Sequence, residues 1–401
     1  MNCLSGIRIT DFAWVAAGAF CALLARYLGA EVIKVESRQR LDVNRLVQPQ
    51  DKPFDVNGSA LFNEMNLGKR SVTLNLSKPQ GIELARKLIS VSDIVIENFR
   101  PGVMKKLGLN YPSIAAFKPD IIMVSYSLSG QLGPEAGYLG YAPIAGSLSG
   151  LSHLSGYTGP EDLPSPVGGE FDLVTGAAAL IPVIAALYYR QETGKGQYID
   201  FSAREAGTSL IGETVLDFDM NSRDQGRCAN RDDSMAPHNC YRCKGADQWI
   251  SIAITTDAEW KRFCQATGHL EWLEDQRFCD GYRRWMHQEE IDVLIEEWTK
   301  DRTDYEVMDL LQKAGVAAIP SFDAGQLSTD PHLKQRGIFQ RIEHPVIGSV
   351  DVLGVPWKIS GTRPIMPRAP LMGEDNEYVF RELLGITDDE IKRLEESQVI
   401  Y

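Results

Sequence analysis

The sequence predicts an α/β protein, with a parallel sheet covered by helices and a second, smaller α/β domain. Three observations predict it. Residues 4–12, LSGIRITDF, alternate as a strand does, AFCALLARYLG has helical spacing up to Gly29, and EVIKVE is strand-like again. The alternation recurs in RSVTLNL, PQGIELARKLIS, DIVIENF and IIMVSYS, and β-α-β units imply parallel pairing. From about 225 to 325 the character changes, with a strand in WISIAITT followed by three helical stretches. The predicted boundaries are 1–224 for the first part of the large domain, 225–325 for the small domain and 326–401 for a return to the large one.

The remaining elements follow in order. Residues 130–170 are rich in Gly, Ser, Pro and Tyr and read as ordered loops, which are often functional. QYIDFSAREAGTSLIGETVLDF reads as a strand and one helix. AAIPSFD and IFQRIEHPVIGSVDVLG lead to a proline-rich tail, and Thr387 and Glu390 have capping-box spacing for a final helix.

Composition narrows the function. The chain has 401 residues, 44% of them hydrophobic, enough to bury a sizeable core, and a formal net charge of −13. That balance provides no basic field for nucleic acid. The longest apolar run, AAALIPVIAALYY, contains Pro182 and falls short of the roughly 20 residues a membrane span needs. The start, MNCLSGIRITDF, lacks the features of a signal peptide. Seven scattered cysteines suit reduced thiols and a cytoplasmic location. Cys240 and Cys243 form a single CxxC in a strand-like stretch, so structural thiols are expected there and no metal site.

The β-α-β opening invites a dinucleotide, with Glu36 as the acid after the second strand. The GxGxxG turn is missing, because TDFAWVAAGAF offers Gly18 alone. Basic residues mark three strand ends instead: Lys34 and Arg38, Lys69 and Arg70, and Arg100, Lys105 and Lys106. They fit a nucleotide phosphate or, equally, solvated surface charge. In PVGGEFDLVTG, Asp172 follows Gly168 and Gly169 and precedes Gly176. Taken alone, it is either a nucleophile or a first-turn acid that complements a helix dipole for about 0.3–1 kcal/mol.

Seven segments in order widen the view: LSGIRITDF…GAEVIKVES, NLGKRSVTLNL, SDIVIENFRPGVMKKLGLNY, SYSLSGQLGP, RQETGKGQYIDFS, APHNCYRCKGADQWISIA and DPHLKQRGIF. Together they resemble the class III CoA-transferase family, which includes formyl-CoA, carnitine and benzylsuccinate CoA-transferases. The resemblance implies that Asp172 is a nucleophile that forms an aspartyl-CoA thioester during transfer of CoA from an acyl-CoA to a carboxylic acid. It implies CoA bound along Arg38, Lys69, Asn98, Phe99 and Lys106, with Arg100 either at the nucleotide or structural. CoA and acyl-CoA are substrates, and no prosthetic group is implied. The implied architecture is a Rossmann-like large domain in a ring-shaped subunit, interlocked as a homodimer, with a heteromer of related subunits as a further possibility.

Departures from the family refine the expectation. Ala17-Gly18-Ala19 stands where AGP is common, and Ala16 where formyl-CoA transferases carry glutamine. No glycine-rich run occurs near DDSMAPHNC. These differences argue against formate and oxalate. Trp14 and the small residues beside it, with Tyr138, Gly168 and Gly169, suggest a pocket for a larger acyl group, aromatic or dicarboxylic. An α-methylacyl-CoA racemase of the same fold would carry a histidine where this chain reads AGYLGY, with Tyr138. An isomerase moving CoA within one molecule would use the same Asp172.

Overall fold

The computed structural model describes residues 2–48, 53–157, 164–165, 167–362 and 366–401. The chain folds as two compact units, Met1–Ser152 with Pro166–Asp224 and Leu333–Tyr401, and His153–Ser165 with Gln225–His332.

The first unit is built on six parallel strands: β1 (Arg8–Asp11), β2 (Glu31–Glu36), β3 (Arg70–Thr73), β4 (Ile94–Glu97), β5 (Ile122–Ser127) and β6 (Tyr198–Ser202). Their order is β3-β2-β1-β4-β5-β6, with every neighbouring pair parallel. This is the Rossmann order, whose ligands gather beyond the carboxyl ends of the strands. The central strands read as continuous apolar runs because both faces are covered. Ile9, Val32, Ile94, Ile96, Ile122 and Val124 face one core. Ile33, Val35, Val72, Val95 and Met123 face the other.

Helix α1 (Ala17–Tyr27) covers the first face together with the long helix Glu170–Thr193. Helix α2 (Pro79–Ser90), with proline in its first turn, covers the second. We number the long helix α3. It is longer than the apolar run in the sequence because Glu170 and Asp172 start it and RQET ends it. By length and composition alone it could cross a membrane, yet Phe171, Thr175, Ala179, Leu180 and Val183 are buried within the unit. Gly176 makes this packing possible: a Cβ there would lie 2.4 Å from the Ala17 carbonyl oxygen.

The segment after β6, read as one helix, is two: α4 (Ala203–Ser209) and α5 (Gly212–Asn221). Ile211 turns inward at the break, and α5 buries none of its residues. Residues 339–353 form an antiparallel hairpin, β7 (Phe339–His344) with β8 (Gly348–Leu353). The last helix, Asp388–Glu396, is capped by Thr387, whose hydroxyl accepts from the Glu390 amide.

The second unit holds a three-stranded antiparallel sheet, His238–Arg242, Trp249–Ala253 and Ala317–Pro320. Helices Asp257–Thr267, Gln288–Thr299 and Asp304–Lys313 back it. Two of them begin in complete capping boxes, Thr256 with Glu259 and Thr303 with Glu306. Trp260, Phe263, Trp272, Phe278 and Trp298 form an aromatic core there. Cys240 and Cys243 are free, as are the other five cysteines.

The close approach of α3 to α1 is testable. Gly176→Ala must push the helices apart, and overpacking of this kind costs about 1–3 kcal/mol. Urea unfolding should show a lower midpoint with an unchanged slope; an unaltered midpoint would contradict the seating.

Candidate active site

The site begins at the turn that carries β1 into α1. Asp11, the last residue of β1, is fully buried and accepts from the Lys69 ammonium at 2.8 Å and the Ala13 amide at 2.9 Å. The buried Lys34 ammonium donates to the Ala13 carbonyl at 2.7 Å and lies 3.1 Å from Asp42. Asn98 grips Trp14 from both sides: its Oδ1 accepts from the Trp14 amide and its Nδ2 donates to the Trp14 carbonyl, each at 2.8 Å. The Val15 amide reaches Asp42 at 3.1 Å, and its carbonyl accepts from Asn44 at 2.9 Å. Val15 has φ +60°, a conformation a β-branched residue holds only when its surroundings over-determine it. Every backbone polar group of residues 13–15 therefore has a side-chain partner.

The strand order sets what surrounds this turn. β2 and β4 flank β1, so the segments leaving their carboxyl ends lie on either side of Trp14. Arg38 and Arg40 follow β2 and are exposed; the Arg40 guanidinium sits 5.1 Å from the Trp14 ring. Asn98, Phe99 and Arg100 follow β4, and Phe99 meets Trp14 edge to face at 5.9 Å. Glu97, buried at the end of β4, accepts from the Phe99 amide at 2.8 Å, and burial raises its carboxyl to about 7. Arg100 donates to the Gly137 carbonyl at 3.1 Å, tying this segment to the turn that carries exposed Tyr138. Lys105 and Lys106 lie on the exposed side of the short helix that follows.

Asp172 approaches the same edge from α3. Both α1 and α3 run from the carboxyl to the amino ends of the strands. α3 ends where Arg190 binds Asp93, just before β4. Gly176 touches Ala17 at the start of α1, so Asp172, one turn earlier and about 5.4 Å further out, lies level with the Trp14–Ala16 turn. Below it the Thr175 hydroxyl meets the Tyr126 hydroxyl at 2.6 Å and donates to the Phe171 carbonyl at 2.7 Å. The Asp172 carboxylate is half-buried, and among the described residues it forms no ion pair. Burial alone raises its pKa to about 6. Its charge in turn adds to the burial that raises the Tyr126 hydroxyl.

The structure brings Trp14, Ala16, Arg38, Asn98, Phe99, Arg100 and Asp172 to one edge of the sheet. Gly169, at the start of α3, has open space where a Cβ would stand. Gly168 does not, because the Glu170 carboxylate folds back onto its amide at 2.7 Å. Lys69 corrects the sequence reading. It precedes β3 and so enters from the amino end, and its side chain is fully buried on Asp11 and the Ala19 carbonyl. Lys34 is likewise internal. Phe171 fills the core beside Gly207. Glu36, the would-be ribose acid, is clamped by Arg45 at 2.6 and 2.8 Å and by Ser71 at 2.6 Å. The sequence reading missed Arg40, Asp42 and the Tyr126–Thr175 pair. Arg40's place two residues beyond Arg38 was the one available signal; nothing in the local sequence marks the others. Among the described residues no cluster of His, Cys, Asp and Glu is arranged to hold a metal.

A parallel sheet in this order, with an unpaired carboxylate and an aromatic, cationic rim at its carboxyl edge, has its candidate site where α/β proteins of this strand order bind ligands. Residues 4–376 match CoA-transferase family III, and the chain belongs to that family. It is 33% identical to the succinyl-CoA–L-malate CoA-transferase alpha subunit of Chloroflexus aurantiacus, over 99% of this chain and 92% of that one. It is 30% identical to a formyl-CoA:oxalate CoA-transferase of Rhodopseudomonas palustris, over 98% and 96%. A CAIB/BAIF family protein from Brucella suis superposes with a TM-score of 0.85 at 28% identity, covering 96% of this chain and all of that one. The protein is a class III CoA-transferase.

Removing one partner of a buried ion pair costs about 3–5 kcal/mol. Lys69→Ala should therefore lower the unfolding midpoint by a corresponding amount. An unchanged midpoint with weakened CoA binding would return Lys69 to the ligand.

Proposed function

We propose that Asp172 is the nucleophile of a ping-pong CoA transfer from an acyl-CoA to a carboxylic acid. The observation that carries this is a half-buried carboxylate with no ion-pair partner among the described residues, at the carboxyl edge of the sheet. Its oxygen attacks the thioester carbonyl and expels CoA thiolate, leaving an acyl-aspartyl anhydride. The thiolate attacks the aspartyl carbonyl and releases the donor acid, leaving aspartyl-CoA thioester. The acceptor carboxylate attacks that thioester, and the thiolate then attacks the acceptor's acyl carbon. New acyl-CoA leaves and the Asp172 carboxylate is restored. Each step is a displacement at a carbonyl carbon that conserves charge and leaves every oxidation state unchanged.

A desolvated carboxylate suits this chemistry. With its pKa near 6, Asp172 is largely ionised at neutral pH yet poorly solvated, and a partly closed site slows anhydride hydrolysis. Arg38, Arg40, Arg100 and Lys106 would face the phosphates of CoA, with Phe99 and Trp14 beside its adenine or pantetheine. Trp14 and the missing glutamine at Ala16 favour a donor larger than formyl-CoA. The relatives named for succinyl-CoA transfer support a dicarboxylic acyl group. For the racemase reading, Tyr138 is exposed and is the residue in place of the required histidine, which favours transfer.

Assembly belongs to the same proposal. Along α3, Val174, Ile181 (71% exposed) and Tyr188 (67%) line one face, and α5 exposes Val215, Leu216, Phe218 and Met220 (70%). A second copy of the chain, interlocked with the first, would cover these faces; a related subunit would serve equally, as the names of the Chloroflexus alpha and beta subunits suggest. Seven free thiols fit a cytoplasmic enzyme.

Four outcomes follow. kcat/KM should fall on the acid side with an apparent pKa near 6, and hydroxylamine should inactivate the enzyme only in the presence of acyl-CoA; hydroxylamine-insensitive turnover would contradict the covalent route. The folded carboxyl titrates above its unfolded value, so its charge destabilises the fold above pH 6, a loss that vanishes below about pH 4. Asp172→Asn should therefore be inactive but more stable at pH 7, by up to about 3 kcal/mol, as thermal unfolding would reveal. In sedimentation the protein should run at twice 44.6 kDa; a monomer at micromolar concentration would overturn the homodimer.

A further inference from the structure

At the opposite, amino edge of the sheet lies a cavity of about 540 Å³, lined by Arg26, Glu31, Arg70, Arg368, Glu374 and Asp375 among others. Its charges are unequally matched. Glu31 accepts from Arg8 at 2.7 Å, Arg70 at 3.0 Å and the Tyr378 hydroxyl at 2.8 Å. Asp375 accepts from Arg70 and from the Ser71 amide at 2.8 and 2.9 Å. Glu374 takes both terminal nitrogens of Arg368 and the Leu371 amide. These three carboxylates are saturated by their own donors.

Arg26 is not matched in this way. Its Nε donates to the Gly68 carbonyl at 2.7 Å, and among the described residues no carboxylate pairs with it. Gly68 has φ +66°, and a Cβ there would stand 3.1 Å from that nitrogen, so the glycine keeps the guanidinium in place. Arg70 is pinned 4.0 Å from the Tyr378 ring. Burial and the nearby Arg70 charge disfavour the Arg26 cation more than Glu31 favours it, a cost that an anion in the cavity would relieve.

We propose that this cavity binds a small oxyanion, a phosphate or a dicarboxylate, through the terminal nitrogens of Arg26, with Arg70 beside it. Guanidinium forks match the planar or tetrahedral oxygens of such anions in pairs. The volume leaves room for a body attached to the charged group. Arg26 lies in the last turn of α1 and Arg70 opens β3, whereas Asp172 lies at the other edge, so the site is separate from the proposed reaction centre and stands independently of the transfer mechanism.

Calorimetric titration of the full chain with inorganic phosphate, and separately with succinate, tests this at constant ionic strength with chloride as the blank. Saturable phosphate binding is expected. Arg26→Gln, whose amide can still donate to Gly68, should weaken it at least tenfold without shifting the ligand-free unfolding midpoint. Arg26→Lys, which keeps the charge, should fall between the two, and it decides the matter if the glutamine variant does not fold. Asp172→Asn should bind phosphate as the unaltered chain does. Succinate displacing phosphate assigns both to one pocket; failure to displace restricts the pocket to phosphate. A response equal to chloride, or binding that survives at Arg26→Gln but is lost at Asp172→Asn, overturns the proposal.

Discussion

Two buried ion pairs, Lys69 with Asp11 and Lys34 with Asp42, hold the turn on which the active edge depends. Taking four charges out of water is costly, and such pairs add little net stability compared with apolar packing. Burial lowers the pKa of Lys69 despite Asp11. For Lys34, burial is outweighed by Asp42, Asp11 and Glu36, which hold it cationic. What these pairs provide is geometry: with Asn98 and Asn44 they bind each peptide group from Ala13 to Val15. A valine at φ +60° persists because no neighbouring peptide group is free to relax.

The carboxylate on α3 inverts this pattern. The lysines and aspartates of the turn are matched pairwise, while Asp172 is half-buried without a cation beside it. An ion pair would lower its pKa and its nucleophilicity together; burial raises both. α3 can hold such a carboxylate because its stability comes from the packing of Gly176, Ala179, Leu180 and Val183 further along. The long apolar helix therefore fixes one half-buried carboxylate at the sheet edge.

Most of the large unit was legible in the sequence because a parallel strand buried on both faces leaves an unbroken apolar run, as in EVIKVE and IIMVSYS. The sequence singled out Asp172 by its place before Gly176 and Asn98 by the segment SDIVIENFRPGVMKKLGLNY; the structure puts Asp172 at the carboxyl edge of the sheet and gives Asn98 a grip on Trp14. Lys69 was misread because a lysine beside a strand looks the same from either end; only the fold shows it entering from the amino end toward Asp11. The break between α4 and α5 was hidden because Ile211 keeps the apolar spacing while turning inward. Arg26 carries no signal in the sequence, since only the fold brings Glu374 and Asp375, far away in sequence, to the cavity it lines.

The central claim is that an Asp172 oxygen enters the reaction. In the proposed route the acceptor's attacking oxygen bridges the second anhydride and stays with the aspartate when CoA thiolate captures the acyl group. A single turnover with acceptor acid labelled with heavy oxygen in its carboxylate should place one labelled oxygen in the peptide containing Asp172, a gain of about 2 mass units by peptide mass spectrometry. Product acyl-CoA formed at the normal rate with no label in that peptide would contradict the account.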